Sequence, residues 1–103
     1  MLTTLNYFNY NREVTLNKKK VVILFGAPWC LGCQQMLPKY ERWARDYPDF
    51  DFKLADITKT KYLVNKFKVV SSMTFVVISR GVEIKRFNGI QTDETFKYFL
   101  LNK

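Results

Sequence analysis

The apolar positions of the chain change their spacing from segment to segment, and each spacing predicts a different element. Residues 21–25 are five apolar residues in succession, mostly β-branched, which is typical of a central strand buried on both faces. Apolar residues then recur at helical spacing over residues 31–47, where Pro38 lies inside the predicted helix and Pro48 ends it. From residue 50 to residue 55 apolar and polar residues alternate, which predicts a second strand.

The second half of the chain continues the same alternation of elements. Thr58 is predicted to cap a short helix that runs to about residue 67, and residues 75–78 form a third apolar strand. A turn then leads into residues 82–87, where apolar and polar residues alternate strictly. This alternation predicts an antiparallel strand with one solvent-exposed face. Thr92 is predicted to cap a final helix. The apolar face of that helix consists of Phe96, Phe99 and Leu100.

The first twenty residues carry the weakest pattern. Residues 2–5 are consistent with a short edge strand, and residues 6–16 with a short irregular helix. The order of elements requires right-handed crossovers with parallel pairing first and an antiparallel hairpin last. We therefore expect an α/β fold, with a central mixed sheet of four to five strands flanked by three to four helices. Residues 1–103 are predicted to form a single domain.

Composition and charge narrow the class of partner. Hydrophobic residues make up 48% of the chain and aromatic residues 17%, which indicates a globular domain. The net charge is +8, which favours acidic partners or surfaces. The basic residues are scattered, with one true run at residues 18–20, so nucleic acid is disfavoured as the main partner. No apolar run approaches the roughly 20 residues of a membrane span, and residues 1–10 lack the pattern of a secretory signal. We expect a cytoplasmic monomer with no membrane partner.

The candidate chemistry lies at Cys30 and Cys33, which are the only cysteines in the chain. They are separated by two residues and stand between a predicted strand and a predicted helix, which is a redox layout. A turn of this kind brings both sulfurs close enough to form a small disulfide ring. The first sulfur would lie where helix amides are unpaired and the helix dipole is positive, and this favours the thiolate, the species that attacks disulfides.

Three other uses of the two cysteines are open. Structural zinc takes four ligands, and the chain has no histidine and no third cysteine, so a zinc site within one chain is disfavoured. An inert buried pair is a second alternative, and a metal that bridges the pairs of two chains is a third. In the cytosol a lone pair of this spacing is more often catalytic than structural. No metal and no cofactor is therefore expected, apart from the redox-active pair itself.

The chain resembles thioredoxin from about residue 20 to its end. The resemblance rests on several motifs in family order: Ala27-x-Trp29-Cys30-x-x-Cys33, then Met36 and Pro38, the strand ending at Asp56, Phe75 to Ile78 with a Gly81-x-Glu83 hairpin, and Gly89 before the last helix. It implies that Cys30 is the exposed nucleophile, that the more buried Cys33 resolves the mixed disulfide, and that Trp29 belongs to an apolar rim that receives the substrate. It also implies two kinds of partner, namely proteins with disulfides and a reductase that donates electrons.

Two departures from the family concern the substrate site. Leu31-Gly32 stands where thioredoxins usually carry Gly-Pro, so the redox potential cannot be carried over. Ser72-Met73-Thr74 stands where Ile-Pro-Thr is usual, which puts Met73 at the family's cis-proline position. Because a cis bond before a residue other than proline costs about 2.5–4 kcal/mol, we expect a trans bond between Ser72 and Met73. The resemblance implies a substrate site formed by Trp29, Leu31, Gly32, Ser72, Met73, Thr74 and Gly89.

A third departure concerns proton transfer. Thioredoxins bury an aspartate and a nearby lysine behind the cysteines, and these positions fall on Leu24 and Leu54. Two leucines at these positions give an apolar surface behind the cysteines, and they leave no buried charge without a partner. We therefore expect resolution by Cys33 to be slower, or more dependent on pH, than in an ordinary thioredoxin.

The sequence thus predicts a thiol–disulfide oxidoreductase that reduces protein disulfides. One alternative is a binding module that keeps the fold with little redox activity. The other is a dimer bridged by an iron–sulfur cluster, which loss of the family's proline can allow.

Overall fold

The computed structural model describes residues 2–102 and contains a five-stranded mixed sheet and four helical segments. The strands are β1 (Thr3–Thr4), β2 (Lys20–Gly26), β3 (Phe50–Asp56), β4 (Thr74–Ser79) and β5 (Val82–Asn88). The helices are a short π-helix (Asn11–Thr15), α1 (Leu31–Asp46), α2 (Lys61–Phe67) and α3 (Asp93–Leu101). The predicted α/β class, with its mixed sheet between helices, is confirmed.

Strand β2 lies at the centre of the sheet, as its run of apolar residues predicts. Its strand order is β1-β3-β2-β4-β5, with β1, β3 and β2 parallel to one another and β4 and β5 antiparallel to their neighbours. Each of residues 21–25 is at most 2% exposed, because helices cover both faces of the strand. In the parallel register Leu24 lies directly opposite Leu54, and Gly26 lies opposite Asp56.

The two faces of the sheet carry separate apolar cores, because successive side chains of a strand point to opposite faces. Val22 and Leu24 belong to the core shared with α1 and α3, where the indole of Trp43 stacks on Phe96 with ring centroids 4.0 Å apart. The other core lies beneath the π-helix and α2. It includes Val21, Ile23, Phe25, Val14, Leu63 and Phe67.

Two buried polar groups connect helices to the sheet. The hydroxyl of Tyr40, on α1, donates toward the carbonyl oxygens of Val22 and Lys53, which are 3.0 and 2.8 Å away. On the opposite face the ammonium of Lys53 lies 2.8 Å from a carboxylate oxygen of Glu13, on the π-helix. Both contacts satisfy polar groups that burial would otherwise leave unpaired.

Two predicted helix boundaries were wrong. α2 begins at Lys61, after Thr60, because the amide and hydroxyl of Thr58 bond the carboxylate of Asp56 and form a turn there. At the N-terminus the side chains of Asn6 and Asn9 bond nearby backbone amides, so the chain turns before any helix begins.

The predicted antiparallel outer strand is present as β5, and its burial alternates along the strand. The exposed face carries Val82 and Ile84, and the pairing with β4 shifts register between Val77 and Ile78. A bidentate ion pair joins Glu83 to Arg86 on this strand. Within residues 2–102 no helix has both the length and the apolar character needed to cross a membrane.

Candidate functional site

The two cysteines lie where β2 has ended and α1 begins. Cys30 is the N-cap residue of α1, with extended backbone angles, and its sulfur accepts a hydrogen bond from the Cys33 amide at 3.1 Å. The two residues form a disulfide, with Cα atoms 5.2 Å apart. Cys30 is half-buried, whereas Cys33 is 7% exposed. The first sulfur therefore faces the surface at a helix N-terminus, and the second lies behind it.

The loop before the helix is shaped to hold this pair. A Cβ atom on Gly26 would lie 3.1 Å from the Cys33 sulfur, so the absent side chain leaves room for that sulfur. The Cys30 amide donates to the carbonyl of Ala27 at 3.1 Å, and the side-chain amide of Gln34 donates to the carbonyl of Pro28 at 2.8 Å. These bonds fix the turn on both sides of Trp29.

Exposed apolar side chains surround the cysteines. Trp29 is 70% exposed and Leu31 is 67% exposed. Both therefore offer apolar surface beside the cysteines, where an apolar rim was expected. Ile90, in the loop after β5, is also exposed and reaches within 3.7 Å of the position a Gly32 side chain would take. Sequence reasoning missed Ile90, because a lone apolar residue after a glycine carries no motif.

A second loop, residues 71–73, faces the same turn. The described residues contain no cis peptide bond, so the bond between Ser72 and Met73 is trans, as predicted. The backbone of Met73 is held on both sides, since its amide donates to the carbonyl of Phe25 at 2.8 Å and its carbonyl accepts from the Gly89 amide at 2.9 Å. Within residues 2–102 the backbone amide and carbonyl of Ser72 make no hydrogen bond.

The structure places Thr74, the first residue of β4, in the interior of the protein and not on its surface. Its side chain is buried, with the hydroxyl donating to the carbonyl of Ser71 at 2.8 Å and lying 3.1 Å from the side-chain amide nitrogen of Asn88. Of the seven residues expected at the substrate site, Gly89 bonds the backbone of Met73 and Thr74 bonds within its own surroundings, while the other five line the turn or the adjoining loop.

An apolar cleft of about 280 Å³ lies behind the buried cysteine. Leu24 and Leu54, which are paired in the sheet, both line this cleft together with Cys33. Apart from Cys33 itself, the one ionisable side chain among its lining residues is Asp56, and one oxygen of its carboxylate accepts from the amide and hydroxyl of Thr58. The floor behind the cysteines is therefore apolar.

The site as a whole combines a sulfur pair with an apolar surround. Among residues 2–102 there is no group of three or more potential His, Cys, Asp or Glu ligands that could hold a metal ion. A small α/β domain that presents a Cys-x-x-Cys pair at the N-terminus of a helix, with an apolar rim around it, defines a class of protein that exchanges thiols and disulfides.

Comparison with known proteins gives the family. Residues 1–102 match the thioredoxin family. Thioredoxin H2 of Arabidopsis thaliana is 33% identical over 85 residues, which cover 82% of this chain and 64% of that protein, so the chain spans less than two thirds of this relative's length. Thioredoxin H5 of Oryza sativa subsp. japonica is 31% identical over 95% of this chain and 73% of that protein. The chain belongs to the thioredoxin family, a group of thiol–disulfide oxidoreductases.

A solved structure supports the same conclusion. Fasciola hepatica thioredoxin matches this fold with a TM-score of 0.81 and 25% sequence identity, over 98% of this chain and 99% of that one. The likeness thus extends over the whole architecture, including the elements on both sides of the cysteines.

Proposed function

We propose that this protein reduces disulfides in other proteins through Cys30 and Cys33. The observation that carries the proposal is the placement of the Cys30 sulfur. It lies at the N-cap of α1, half-buried, with the Cys33 amide donating to it at 3.1 Å. An amide donor and the positive end of a helix dipole both stabilise a thiolate, and the thiolate is the attacking species.

The reaction is an exchange of sulfur bonds in two steps. The Cys30 thiolate attacks one sulfur of the substrate disulfide, forms a mixed disulfide with it, and releases the other substrate sulfur as a thiolate that takes up a proton. Cys33 then loses its proton and attacks the Cys30 sulfur, which releases the second substrate thiol. The substrate gains two electrons and two protons, and the protein keeps a disulfide between Cys30 and Cys33. A partner reductase must supply two electrons and two protons to restore the dithiol.

The substrate would lie on the exposed apolar rim and along residue 72. Trp29 and Leu31 offer apolar surface beside the nucleophile, and the free backbone amide and carbonyl of Ser72 can pair with an extended peptide. Met73 stands where the family carries its cis-proline, and Leu31-Gly32 where it carries Gly-Pro. Because both replacements lie at the redox site, the redox potential cannot be carried over from other thioredoxins and has to be measured on this protein.

The second step lacks a dedicated base. Leu24 and Leu54 replace the family's buried aspartate and lysine, and both line the cleft behind Cys33. Deprotonation of Cys33 then depends on solvent, on a group of the substrate, or on Asp56, the one carboxylate among the residues that line the cleft. In single-turnover measurements we expect the first attack to be faster than resolution, and resolution to accelerate as pH rises. A resolution step as fast and as independent of pH as in an ordinary thioredoxin would contradict this part of the proposal.

The main experiment compares insulin reduction by the wild type and by Cys30→Ser, Cys33→Ser and Val82→Ala variants. C30S should abolish turnover, and C33S should accumulate a mixed disulfide, visible by mass, with no multiple turnover. V82A removes an exposed apolar group at the far end of the sheet and should leave the rate unchanged. Equal rates for the wild type and C30S would refute the proposal and favour a binding module.

A further inference from the structure

Met73 has an unusual backbone conformation for its residue type. Its φ is +58°, in the left-handed region that side chains with a Cβ atom rarely adopt. Such strain persists only where the surroundings hold the residue in place. Two backbone hydrogen bonds supply part of that restraint, one to the end of β2 and one from Gly89.

The side chain of Met73 is packed as well. It is 8% exposed and packs against the helix turn between the cysteines. A Cβ atom on Gly32 would lie 2.5 Å from the terminal methyl of Met73 and 3.6 Å from its sulfur. A side chain at position 32 would therefore have to displace the flexible end of the methionine.

The glycine at position 32 is not explained by its own backbone. Gly81 and Gly89 have positive φ, whereas Gly32 lies in α1 and does not. Alanine is a better helix former than glycine, so local propensity alone would favour a larger residue at this position. The group that occupies the space beside Gly32 is the end of the Met73 side chain.

We propose that Gly32 and Met73 form a coupled pair that positions residue 72 beside Cys30 and thereby sets the binding of substrate peptides. The Met73 side chain, seated on Gly32, holds residue 73 in its left-handed conformation. In this conformation the backbone amide and carbonyl of Ser72 make no hydrogen bond within residues 2–102. The inference rests on the proposed function, since a substrate peptide is what residue 72 would pair with. Met73 and Gly32 act here as positioning residues, through Ser72.

The test is a double-mutant cycle with Gly32→Ala, Met73→Ala and the double variant. The readouts are kcat and KM for a short peptide with one intramolecular disulfide. Because G32A displaces the end of the Met73 side chain from its place beside the helix, it should raise KM about fivefold while Met73 is present, a size within the range for contacting residues. In the M73A background the same change should alter KM less than about twofold, since the clash has gone. M73A alone should raise KM, with a smaller effect on kcat.

A matched control uses Val82→Ala in place of M73A. Val82 is an exposed apolar residue at the opposite end of the sheet, so its effect should add to that of G32A with no coupling. Equal KM changes for G32A in the wild-type and M73A backgrounds would overturn the inference. So would a G32A variant that changes only the unfolding midpoint, because a merely structural contact would leave KM unmoved.

A second measurement separates this inference from the proposed function. The rate at which iodoacetamide alkylates Cys30 in the reduced protein needs no substrate turnover. G32A should raise that rate at least twofold in the wild-type background and not in the M73A background, because only a displaced methionine uncovers the turn. Absence of peptide reduction by the wild type would sink the proposed function alone. If G32A changed the alkylation rate equally in the wild-type and M73A backgrounds, the coupling between Gly32 and Met73 would be contradicted. Should G32A fail to fold, a double variant that also fails to fold would contradict the contact.

Discussion

Tyr40 is the residue whose single polar atom connects three elements. Its ring is fully buried on α1, and its hydroxyl reaches carbonyl oxygens on both β2 and β3. Burial raises the pKa of Tyr40 well above its ordinary value of 10.0, so the hydroxyl stays protonated and remains a donor throughout the physiological range. The tyrosine thereby ties the helix that carries the cysteines to the centre of the sheet.

Replacement of this hydroxyl should cost stability without changing the shape of the core. Tyr40→Phe removes the donor and keeps the ring, and we expect a loss of about 1–2 kcal/mol in the free energy of unfolding, measured with urea. Tyr98→Phe is the matched control, because Tyr98 is 62% exposed and should change stability little. Equal losses for the two variants would show that the buried hydroxyl contributes nothing specific.

At single positions the sequence predicts chemistry better than it predicts contacts. The cysteines and Trp29 could be found from spacing alone, because their type and order are informative. The reason for Gly32 could not, since the Met73 side chain that needs the space comes from a loop forty-one positions later. Ile90 was missed for the same reason, because nothing near it in the chain indicates that it faces the cysteines.

The π-helix is attached to the sheet through one ion pair. Glu13 accepts from the ammonium of Lys53 at 2.8 Å, and Lys53 is only 6% exposed. The hydrogen bond from Lys53, followed by that from Arg12, lowers the pKa of Glu13 below its ordinary value of 4.5. Because the folded-state pKa is the lower one, this contribution to stability is complete above about pH 4.5 and is lost as pH falls through the folded value.

A pH series on Glu13→Gln tests this attachment. At neutral pH we expect the variant to be less stable by about 1–3 kcal/mol, because the Lys53 ammonium loses its charged partner. Below about pH 4.5 the difference in unfolding free energy should shrink as the wild-type carboxylate takes up its proton. Glu41→Gln is the control, since Glu41 is exposed and forms no ion pair among residues 2–102. A difference that stays constant with pH would contradict the assignment.

Elements with a strong period were predicted well, and those that side chains interrupt were not. The core strands and the long helix α1 follow directly from apolar spacing, and the predicted Thr92 cap of α3 is present, with Thr95 completing the capping pair. The start of α2 moved because Asp56 bonds Thr58 locally, and the first helix shortened because Asn6 and Asn9 form turns. Local side-chain bonds of this kind compete with helix formation and leave no periodic signal.

The whole molecule brings its two halves together at the cysteines. The parallel half supplies β2, the turn and α1, and the antiparallel half supplies the loop of Met73 and the loop of Gly89. Strand order could be argued from the rule for crossovers, but the hydrogen bonds that join the two loops could not. The cytosolic setting, the electron donor and the monomeric state stay predictions.

The irregular, charged outer strand β5 has a consequence for how copies of this protein meet. A flat, apolar sheet edge would be a template for strand addition by a second molecule, whereas a bulged edge that carries an ion pair resists it. The other edge, β1, has only two residues. Light scattering should therefore find dispersed single chains even in concentrated solution, and Glu83→Val together with Arg86→Val should convert the protein to one that self-associates. A wild type that already self-associates through β5 would show that the bulge and the charges of this strand do not prevent pairing with a second molecule.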